Sequence, residues 1–328
     1  MAMLRRDKHT ASPDISSQRL RAAWLYYNQG LTQKEVADRL GISRSTVIRM
    51  LDEAMKRSEV QIWISEGIDT CLELSGHLER IYGVDEAVIV PSPRNETPEA
   101  VASAVGLALG QFLSDVIQDN MTIGLGWGRT MTASLSSFRP PRRKNCKVVS
   151  LLGGIVAVRD ANPLDYTWRF ANQLGAECFM FLAPLLVDSV GTKRALIDKC
   201  GLDAIYDLAE KLDLAVVSCG DIGPYSTSLS EGFISRAELD RLIAAGCICD
   251  TMFNFLDADG RSVDGEINER VMSVNLDTLK NAGHIVLASG GARRAVAIRA
   301  TIRRIGCNTL ITDESAATEL LRLSQGDL

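Results

Sequence analysis

Apolar residues recur at helical spacing in the first part of the chain. Four of them stand at positions i, i+3, i+4 and i+7 and predict the buried face of one helix: Leu20, Ala23, Trp24 and Tyr27. Gly30 is expected to end this helix, because glycine readily adopts the left-handed conformation found at helix C-termini. The sequence before the helix is polar and has no periodicity, so residues 1–16 are expected to form a disordered tail.

Local capping signals mark two further helices. Thr32, followed by Glu35 three residues later, is a capping box. Gly41 allows a sharp turn with positive φ, and Ser43 can cap the next helix with its hydroxyl. The two helices are expected at residues 33–40 and 44–56. The alternating segment at residues 60–64 predicts a short strand after them.

Residues 33–51 combine into a helix-turn-helix pattern. Small Ala37 stands where two helices would cross closely, and the second helix has no acidic residue between Gly41 and Leu51. Arginine can bond guanine through two hydrogen bonds, serine and threonine can bond bases or phosphates, and helix N-termini attract phosphate. The side chains expected to contact DNA are Thr32, Gln33, Ser43, Arg44, Ser45, Thr46 and Arg49. The pattern leaves open which arginine reads a base, and the alternative interpretation is a helical hairpin with a chance polar face.

From about residue 87 onward, short apolar runs alternate with amphipathic helical stretches. The runs that predict strands are 87–90, 121–125, 147–152, 178–182, 214–219, 285–288 and 309–312. The stretches that predict helices are 98–117, 129–137, 164–174, 202–212, 236–244, 293–304 and 314–323. Such alternation is typical of an α/β fold whose mostly parallel sheet is covered on both faces. Residues 253–264 interrupt the alternation, and the turn signal at 257–260 predicts a hairpin there.

Composition narrows the possible classes of protein. The 328 residues are 46% hydrophobic and 23% charged, which allows two domains of an ordinary soluble protein. Residues 1–60 hold 11 Lys+Arg against 7 Asp+Glu, whereas the remainder holds 25 against 34. A basic head on an acidic body fits one domain that contacts phosphate and one that does not.

Cofactors and membranes are not expected. The eight cysteines form no CxxC pair and there are only three histidines, so we expect buried reduced thiols and no metal or other cofactor. No apolar run reaches the roughly 20 residues of a membrane span, and no apolar segment follows the first arginines. A cytoplasmic protein without membrane contact is therefore expected.

Two glycine-rich turns each join a predicted strand to a predicted helix. The turns at residues 124–130 and 289–294 let the backbone approach a ligand closely. Their helix N–H groups, together with Arg294, suit an anion such as phosphate. The first turn lacks the GxGxxG spacing of a dinucleotide site. The alternative interpretation is an ordinary glycine turn beside two solvated arginines.

Two carboxylates follow other apolar runs. Asp221 lies in segment 219–223, predicted as a loop, and Asp250 lies in segment 249–251 at the end of a run. Ligands of open α/β sheets bind beyond the carboxyl ends of the strands, so all four segments are expected to gather there. Asp250 is the preferred acceptor for ligand hydroxyls, and its alternative role is a loop cap. The residues expected to bind the ligand are Gly126, Trp127, Gly128, Arg129, Thr130, Asp221, Asp250, Gly290, Gly291 and Arg294.

The motif LTQKEVADRLGISRSTV at residues 31–47 resembles the head of SorC-type sugar-responsive transcriptional regulators. Short motifs at 151–154, 183–184, 289–291 and 312–314 extend the resemblance in order and spacing. It implies a large effector domain with a fold like that of ribose-5-phosphate isomerase and glucosamine-6-phosphate deaminase, with the 124–130 turn lining the effector pocket. Many relatives carry lysine where Arg294 stands, so the positive charge is kept while the ligand shape can differ. The finer match is to polyol or pentose-pathway regulators such as the erythritol-operon type.

The resemblance implies a regulator, often a repressor, of a carbohydrate or polyol catabolic operon. Its expected partners are operator DNA, a phosphorylated sugar or polyol, and further copies of itself in a dimer or tetramer. The expected domains are a helix-turn-helix domain at residues 17–64 and an α/β effector-binding and oligomerisation domain at 65–328. A sensor of an unphosphorylated sugar is the first alternative.

An isomerase-like enzyme is the second alternative. Aldose–ketose chemistry needs a positioned general base. His284 stands at the start of a predicted strand, His77 in the predicted linker region, and Lys147 at a strand start where it is expected to be exposed. None of these positions is at the expected pocket, so no enzyme is expected.

Overall fold

The computed structural model describes residues 15–57, 59–60, 68–155, 162–223, 226–230, 232–263 and 265–325. The chain divides into two compact units, Met1–Ser65 and Glu66–Leu328. Most of the predicted tail at 1–16, and most of the predicted strand at 60–64, lies outside the described residues.

The smaller unit consists of helices around one apolar core. They are α1 Ile15–Ala23, which continues as a π-helical turn over Trp24–Asn28, then α2 Gln33–Leu40 and α3 Arg44–Lys56. The capping box is confirmed, because the Thr32 hydroxyl accepts from the Glu35 backbone N–H while the Glu35 carboxylate accepts from the Thr32 N–H. Gly30 and Gly41 take φ values of +66° and +67°, and the Ser43 hydroxyl caps α3. The two helices, predicted to end at about Leu40 and about Lys56, are confirmed.

The predicted buried face of the first helix is wrong. Three of its members are exposed by 48%, 54% and 38%: Leu20, Trp24 and Tyr27. The fourth member, Ala23, is buried as predicted, and the core of this unit takes Ala22 and Leu25 beside it. At Trp24 the chain changes to π spacing, and the Gln29 N–H donates to the Trp24 carbonyl at 3.2 Å. A π turn shifts only the residues that follow it. The buried face is already displaced before this turn, because Arg19, which pairs with Glu59, is buried in place of Leu20.

The larger unit is built on a parallel sheet of seven described strands in the order β1-β10-β9-β5-β2-β3-β4. These strands are β1 Glu86–Val90, β2 Thr122–Leu125, β3 Lys147–Ser150, β4 Glu177–Phe179, β5 Leu214–Val217, β9 Ile285–Ala288 and β10 Thr309–Asp313. All seven predicted apolar runs are confirmed as strands, although several end earlier than their runs. The predicted α/β class is confirmed.

Helices surround this sheet, whose two faces bury separate apolar clusters. On β5, Ala215 and Val217 join one cluster while Leu214 and Val216 join the other, because successive strand residues point to opposite faces. The helices are α4 Ile68–Tyr82, α5 Pro98–Val116, α6 Arg129–Ser134, α7 Pro163–Leu174, α8 Val190–Lys199, α9 Asp203–Ala209, α10 Thr227–Ser230, α11 Arg236–Ala244, α12 Glu266–Arg270, α13 Leu276–Leu279, α14 Ala295–Ile305 and α15 Glu314–Gln325. Within the described part of the chain, none is both long and apolar enough to cross a membrane.

All seven helices predicted for this unit are present, and α4 and α8 are the longest that were not predicted. The buried side chains of α4 include Cys71 and Leu78 but few others, so its apolar stripe is narrow. His77 lies within this helix and not in a linker, which corrects its predicted placement. Helix α8 buries no residue fully, and only Leu196 and Ile197 pack partly against the core, so its apolar face is too narrow for a periodicity analysis to detect.

A second, antiparallel sheet corrects one prediction. Its strands are β6 Cys219–Asp221, β7 Cys249–Thr251 and β8 Asn254–Leu256, in that order. Segment 219–223 is therefore largely strand and not loop. The predicted hairpin at 257–260 is confirmed, because Leu256 and Ser262 form an antiparallel bridge across it and the Asp257 N–H donates to the Arg261 carbonyl at 2.9 Å. Strands β7 and β8 are joined by a separate, earlier turn at Met252 and Phe253. Three-residue strands are too short to show a period.

Two glycines let α5 approach α6 closely. A Cβ atom on Gly106 would lie 2.6 Å from the Thr130 carbonyl oxygen, and one on Gly110 would overlap the carbonyl oxygen of Ser134. The two helix backbones are therefore in direct contact. Helix α6 follows strand β2 after a short turn. The contact between α5 and α6 therefore fixes the position of the chain that leaves β2.

Candidate DNA-reading helix and ligand pocket

The exposed side of α3 carries the predicted DNA-contacting residues. Arg44, Ser45 and Arg49 are exposed. The Nε and Nη2 atoms of Arg44 each donate to Gln33 Oε1 at 3.3 Å, which ties the start of α3 to the start of α2. The guanidinium is thus held in place before any DNA arrives.

The hydroxyl groups at these helix starts are engaged in capping. Thr32 Oγ1 donates to the Glu35 carboxylate at 2.7 Å. Ser43 Oγ lies 2.8 Å from both Ser45 Oγ and Thr46 Oγ1, and it also accepts from the Thr46 backbone N–H. Thr32, Ser43 and Thr46 therefore stabilise the helix starts, whereas Ser45 is exposed on the outer face.

A cavity of about 560 Å³ lies at the carboxyl ends of the central strands of the larger unit. Its lining includes residues from all four predicted segments, and Arg294 is the residue that represents the second glycine turn. Its lining consists of Trp127, Gly128, Arg129, Thr130, Ser218, Cys219, Gly220, Ser228, Asp250, Met252 and Arg294. The gathering of distant segments at one edge of the sheet follows from the parallel arrangement of β2, β5 and β9.

A second cavity of about 650 Å³ shares Arg129 and Arg294 with the first. It collects the second glycine turn and Asp221. Its lining consists of Glu96, Pro98, Val101, Arg129, Asp221, Gly290, Gly291, Ala292, Arg293 and Arg294. Gly126 lines neither of these two cavities. It is buried, and its N–H donates to the Val216 carbonyl of β5 at 2.8 Å.

Asp221 pairs with both arginines of the second turn. Arg294 Nε lies 3.2 Å from Asp221 Oδ1, and Arg293 Nη2 lies 3.5 Å from Asp221 Oδ2. The Arg294 side chain is only 15% exposed, whereas that of Arg293 is 70% exposed. Arg294 is therefore the arginine held at the cavities, since its position is fixed by the surrounding protein.

Asp250 is the carboxylate of the first cavity. Burial raises the pKa of its carboxyl to about 7, although the Phe253 backbone N–H and the Arg294 guanidinium both oppose this rise. Gly220 on the neighbouring strand makes room for it, because a Cβ there would lie 2.8 Å from Asp250 Oδ1. At neutral pH, Asp250 can thus exchange a proton and either accept or donate a hydrogen bond to a ligand.

Sequence reasoning missed the residues that hold the second glycine turn. Asp313 Oδ1 accepts from the Gly291 N–H at 2.6 Å, and Asp313 Oδ2 accepts from the hydroxyls of Ser92 and Ser315 at 2.8 and 2.7 Å. The side chain of Asp313 is fully buried. Residues 312–314 stood out only as part of the family resemblance, and the contact with Ser92 spans 221 positions of sequence.

The residues considered for catalysis lie away from the cavities. His284 precedes β9 at its amino end, and its Nε2 lies 2.8 Å from Thr309 Oγ1. Lys147 starts β3, also at the amino end, and is half-buried and not exposed as predicted, with its Nζ 5.9 Å from the centroid of the Phe179 ring. Among the described residues, no group of three His, Cys, Asp or Glu side chains could hold a metal ion.

Comparison with known proteins defines the class. Residues 66–322 match the family described as "Putative sugar-binding domain", and residues 16–61 match the homeodomain-like domain family. The chain belongs to the family of SorC-type transcriptional regulators, which join a helix-turn-helix to a sugar-binding domain.

Several relatives cover nearly the whole chain. This chain is 30% identical over 312 residues to the transcriptional regulator LsrR of Klebsiella pneumoniae, and the alignment covers 93% of this chain and 92% of that protein. It is 27% identical over 309 residues to the erythritol catabolism regulatory protein EryD of Brucella abortus, covering 94% and 97%. The structure of the full-length sorbitol operon regulator SorC from Klebsiella pneumoniae aligns with a TM-score of 0.75 at 26% identity, covering 95% and 100%. These relatives are named as regulators and not as enzymes.

Proposed function

We propose that this regulator senses a phosphorylated sugar or polyol in the cavities of its larger unit. The observation that carries the proposal is the convergence of Arg294, Arg129 and Asp250 on one cavity of about 560 Å³. A guanidinium bonds phosphate oxygens in pairs, and a carboxylate accepts hydrogen bonds from hydroxyl groups. A ligand with phosphate at one end and hydroxyls at the other satisfies both groups.

The names of relatives support a polyol or sugar as the parent compound. Erythritol and sorbitol appear in the names of two of them. A third, at 28% identity over 311 residues, is the deoxyribonucleoside regulator of Bacillus subtilis. We therefore assign the effector to the phosphorylated sugars and polyols, with an unphosphorylated parent as the alternative that the first experiment separates.

The proposed mechanism couples this pocket to operator DNA. Residues 17–64 form the DNA-binding domain of a cytoplasmic homo-oligomer, a dimer or tetramer whose contacts come from residues 65–328. Two heads contact half-sites about 34–36 Å apart or a multiple of that distance. The effector shifts operator affinity by its differential affinity for two states of the oligomer, typically about 1–3 kcal/mol, and relieves repression.

The first test is thermal unfolding against a panel of sugar phosphates, polyol phosphates and their unphosphorylated parents. A compound present at a hundred times its dissociation constant stabilises its domain by about 2.7 kcal/mol, which shifts the melting temperature visibly. We expect only phosphorylated members to shift it. A shift by the parents alone would overturn the assignment of Arg294 to phosphate.

The Arg44→Ala and Arg49→Ala variants are each expected to weaken operator binding. Loss of a base-reading arginine costs about 1–3 kcal/mol and relaxes preference at one base pair, whereas loss of a phosphate contact weakens all sequences alike. Fluorescence anisotropy with the preferred duplex and single-base variants measures both. Gln33→Ala serves as a companion, because it removes the acceptor that orients Arg44. Unchanged binding in both arginine variants would contradict the assignment of α3.

Effector affinity is expected to rise with pH across the range from about 6 to 8. The raised pKa of Asp250, about 7, means that its carboxyl is largely protonated below that pH. Ligand hydroxyls donate to the ionised form, so binding favours loss of the proton and strengthens as pH rises through 7. Calorimetric titration at several pH values measures the effect.

The matched control for this pH dependence is Asp250→Asn, which cannot ionise. Any remaining pH dependence then belongs to the phosphate, whose second pKa is near 6. An affinity that falls with pH in the wild-type protein would indicate that the protonated Asp250 donates to the ligand.

A further inference from the structure

Two large apolar side chains of α3 are exposed, Ile48 and Met55, and Ile48 is the one in the N-terminal half of the helix. Ile48 is 46% exposed, four residues after Arg44 and directly before Arg49. The buried residues of α3 are Val47, Leu51 and Ala54, which lie about a quarter turn around the helix from Ile48. Ile48 itself is not part of this core cluster. Ile48 therefore adds little to the core and lies on the face that carries the basic side chains.

The surroundings of Ile48 favour a polyanion. Residues at i and i+4 share one side of a helix, so Arg44 and Ile48 lie one above the other. Asp52, one further turn along, is already paired with Lys56 at 2.7 Å. Glu53, four residues after Arg49, is paired with Arg57. The face around Ile48 thus presents cationic side chains, and both of these carboxylates are neutralised by neighbours.

The major groove offers one prominent apolar group to such a side chain. The edges of the base pairs are hydrogen-bond donors and acceptors, except for the 5-methyl group of thymine. Recognition helices read bases with their N-terminal residues, and Ile48 is the fifth residue of α3. Its branching at Cβ restricts it to few rotamers, so its methyl groups keep a fixed position.

We propose that Ile48 contacts the 5-methyl group of a thymine in each operator half-site and so selects thymine at that position. The proposal rests on the assignment of α3 as the DNA-reading helix. Arginine contacts define register and guanine positions, and Ile48 distinguishes thymine from cytosine, which lacks the methyl group.

The experiment starts from the full-length protein and a random duplex pool, from which the preferred duplex is selected. Each thymine of that duplex is then replaced by deoxyuridine, which removes only the methyl group. For the wild-type protein, we expect one position per half-site at which the replacement weakens binding about fourfold, as for one buried methylene. For Ile48→Ala, binding to the thymine duplex is weakened by a similar factor, and deoxyuridine at that position has no further effect.

A reciprocal substitution and a matched variant sharpen the test. Replacing the thymine by cytosine weakens wild-type binding, and 5-methylcytosine at the same position recovers part of the loss for the wild type but not for Ile48→Ala. Met55→Ala changes another exposed apolar residue of α3, 41% exposed and two turns further along. This variant is expected to respond to deoxyuridine as the wild type does.

Two outcomes would overturn the proposal separately. If wild type and Ile48→Ala respond equally to deoxyuridine at every thymine, Ile48 does not read the methyl group, although α3 still reads DNA. If Arg44→Ala and Arg49→Ala also bind the selected duplex as the wild type does, the DNA-reading assignment itself fails. Thermal unfolding of Ile48→Ala is expected to match the wild type, because the side chain is largely exposed.

Discussion

Gly110→Ala is expected to destabilise the larger unit by about 3 kcal/mol, at the upper end of the usual cost of overpacking. A Cβ there would overlap the Ser134 carbonyl oxygen and lie 2.9 Å from the Phe138 nitrogen. Both are backbone atoms, which cannot rotate away as a flexible side chain can. Helices α5 and α6 must therefore separate. Urea unfolding followed by circular dichroism measures the loss.

Gly76→Ala in α4 is the matched control. No atom lies within 4 Å of a Cβ at Gly76. Alanine exceeds glycine in helix propensity by about 1 kcal/mol, so this variant is expected to be as stable as the wild type or more stable. Equal destabilisation by both substitutions would contradict the close contact of α5 with α6. Because α6 begins with Arg129 and Thr130 of the cavity wall, Gly110→Ala is also expected to weaken effector binding.

Arg294→Ala is expected to weaken the binding of a phosphorylated effector by roughly 10- to 150-fold. This range corresponds to the loss of a hydrogen bond to a charged group, about 1.5–3 kcal/mol. Removal also leaves Asp221 with the largely exposed Arg293 as its partner in this turn. Isothermal titration calorimetry measures this loss of affinity, with the compound that stabilises the protein most in the thermal unfolding panel and with its unphosphorylated parent.

Two further variants separate charge from geometry at this position. Arg294→Lys keeps the charge but loses the planar fork, so an intermediate affinity is expected. Arg322→Ala removes an arginine that pairs with Glu319 on the surface of α15, and it is expected to leave affinity unchanged. If Arg294→Ala weakens the phosphorylated compound and its parent by the same factor, the residue positions the turn and does not bind phosphate.

Local signals were sufficient to predict much of the fold. The capping box at Thr32 and the cap at Ser43 lie next to the helices that they start, so the starts of α2 and α3 are predicted correctly. The seven parallel strands are buried on both faces and appear as continuous apolar runs. The buried face of the first helix is predicted wrongly because it includes Arg19, which pairs with the distant Glu59, in place of Leu20. Helix α8 was not predicted because it contributes only two partly buried apolar side chains to the core, Leu196 and Ile197.

The candidate site is predictable only in part. Arg294 and the glycine turns follow strands directly, and parallel strands bring their carboxyl ends to one edge, so their gathering can be anticipated. The support of the second glycine turn by Asp313 and Ser92 cannot be anticipated, because it joins residues far apart in sequence. The antiparallel strand β6 was also missed, and it is this strand that places Asp221 against both arginines.

The pairing of Asp221 with Arg293 and Arg294 supplies the pocket with an internal counterion. Under the proposed function, a phosphate that is to bond the Nε edge of the Arg294 guanidinium must displace this carboxylate. For a simple anion the exchange is nearly even, since one ion pair replaces another. A compound that also offers hydroxyls to Asp250 adds a gain that Asp221 does not oppose. The regulator then has a threshold. Abundant inorganic phosphate does not shift the equilibrium between its two states, and only a molecule that carries a phosphate and hydroxyls at the right separation does.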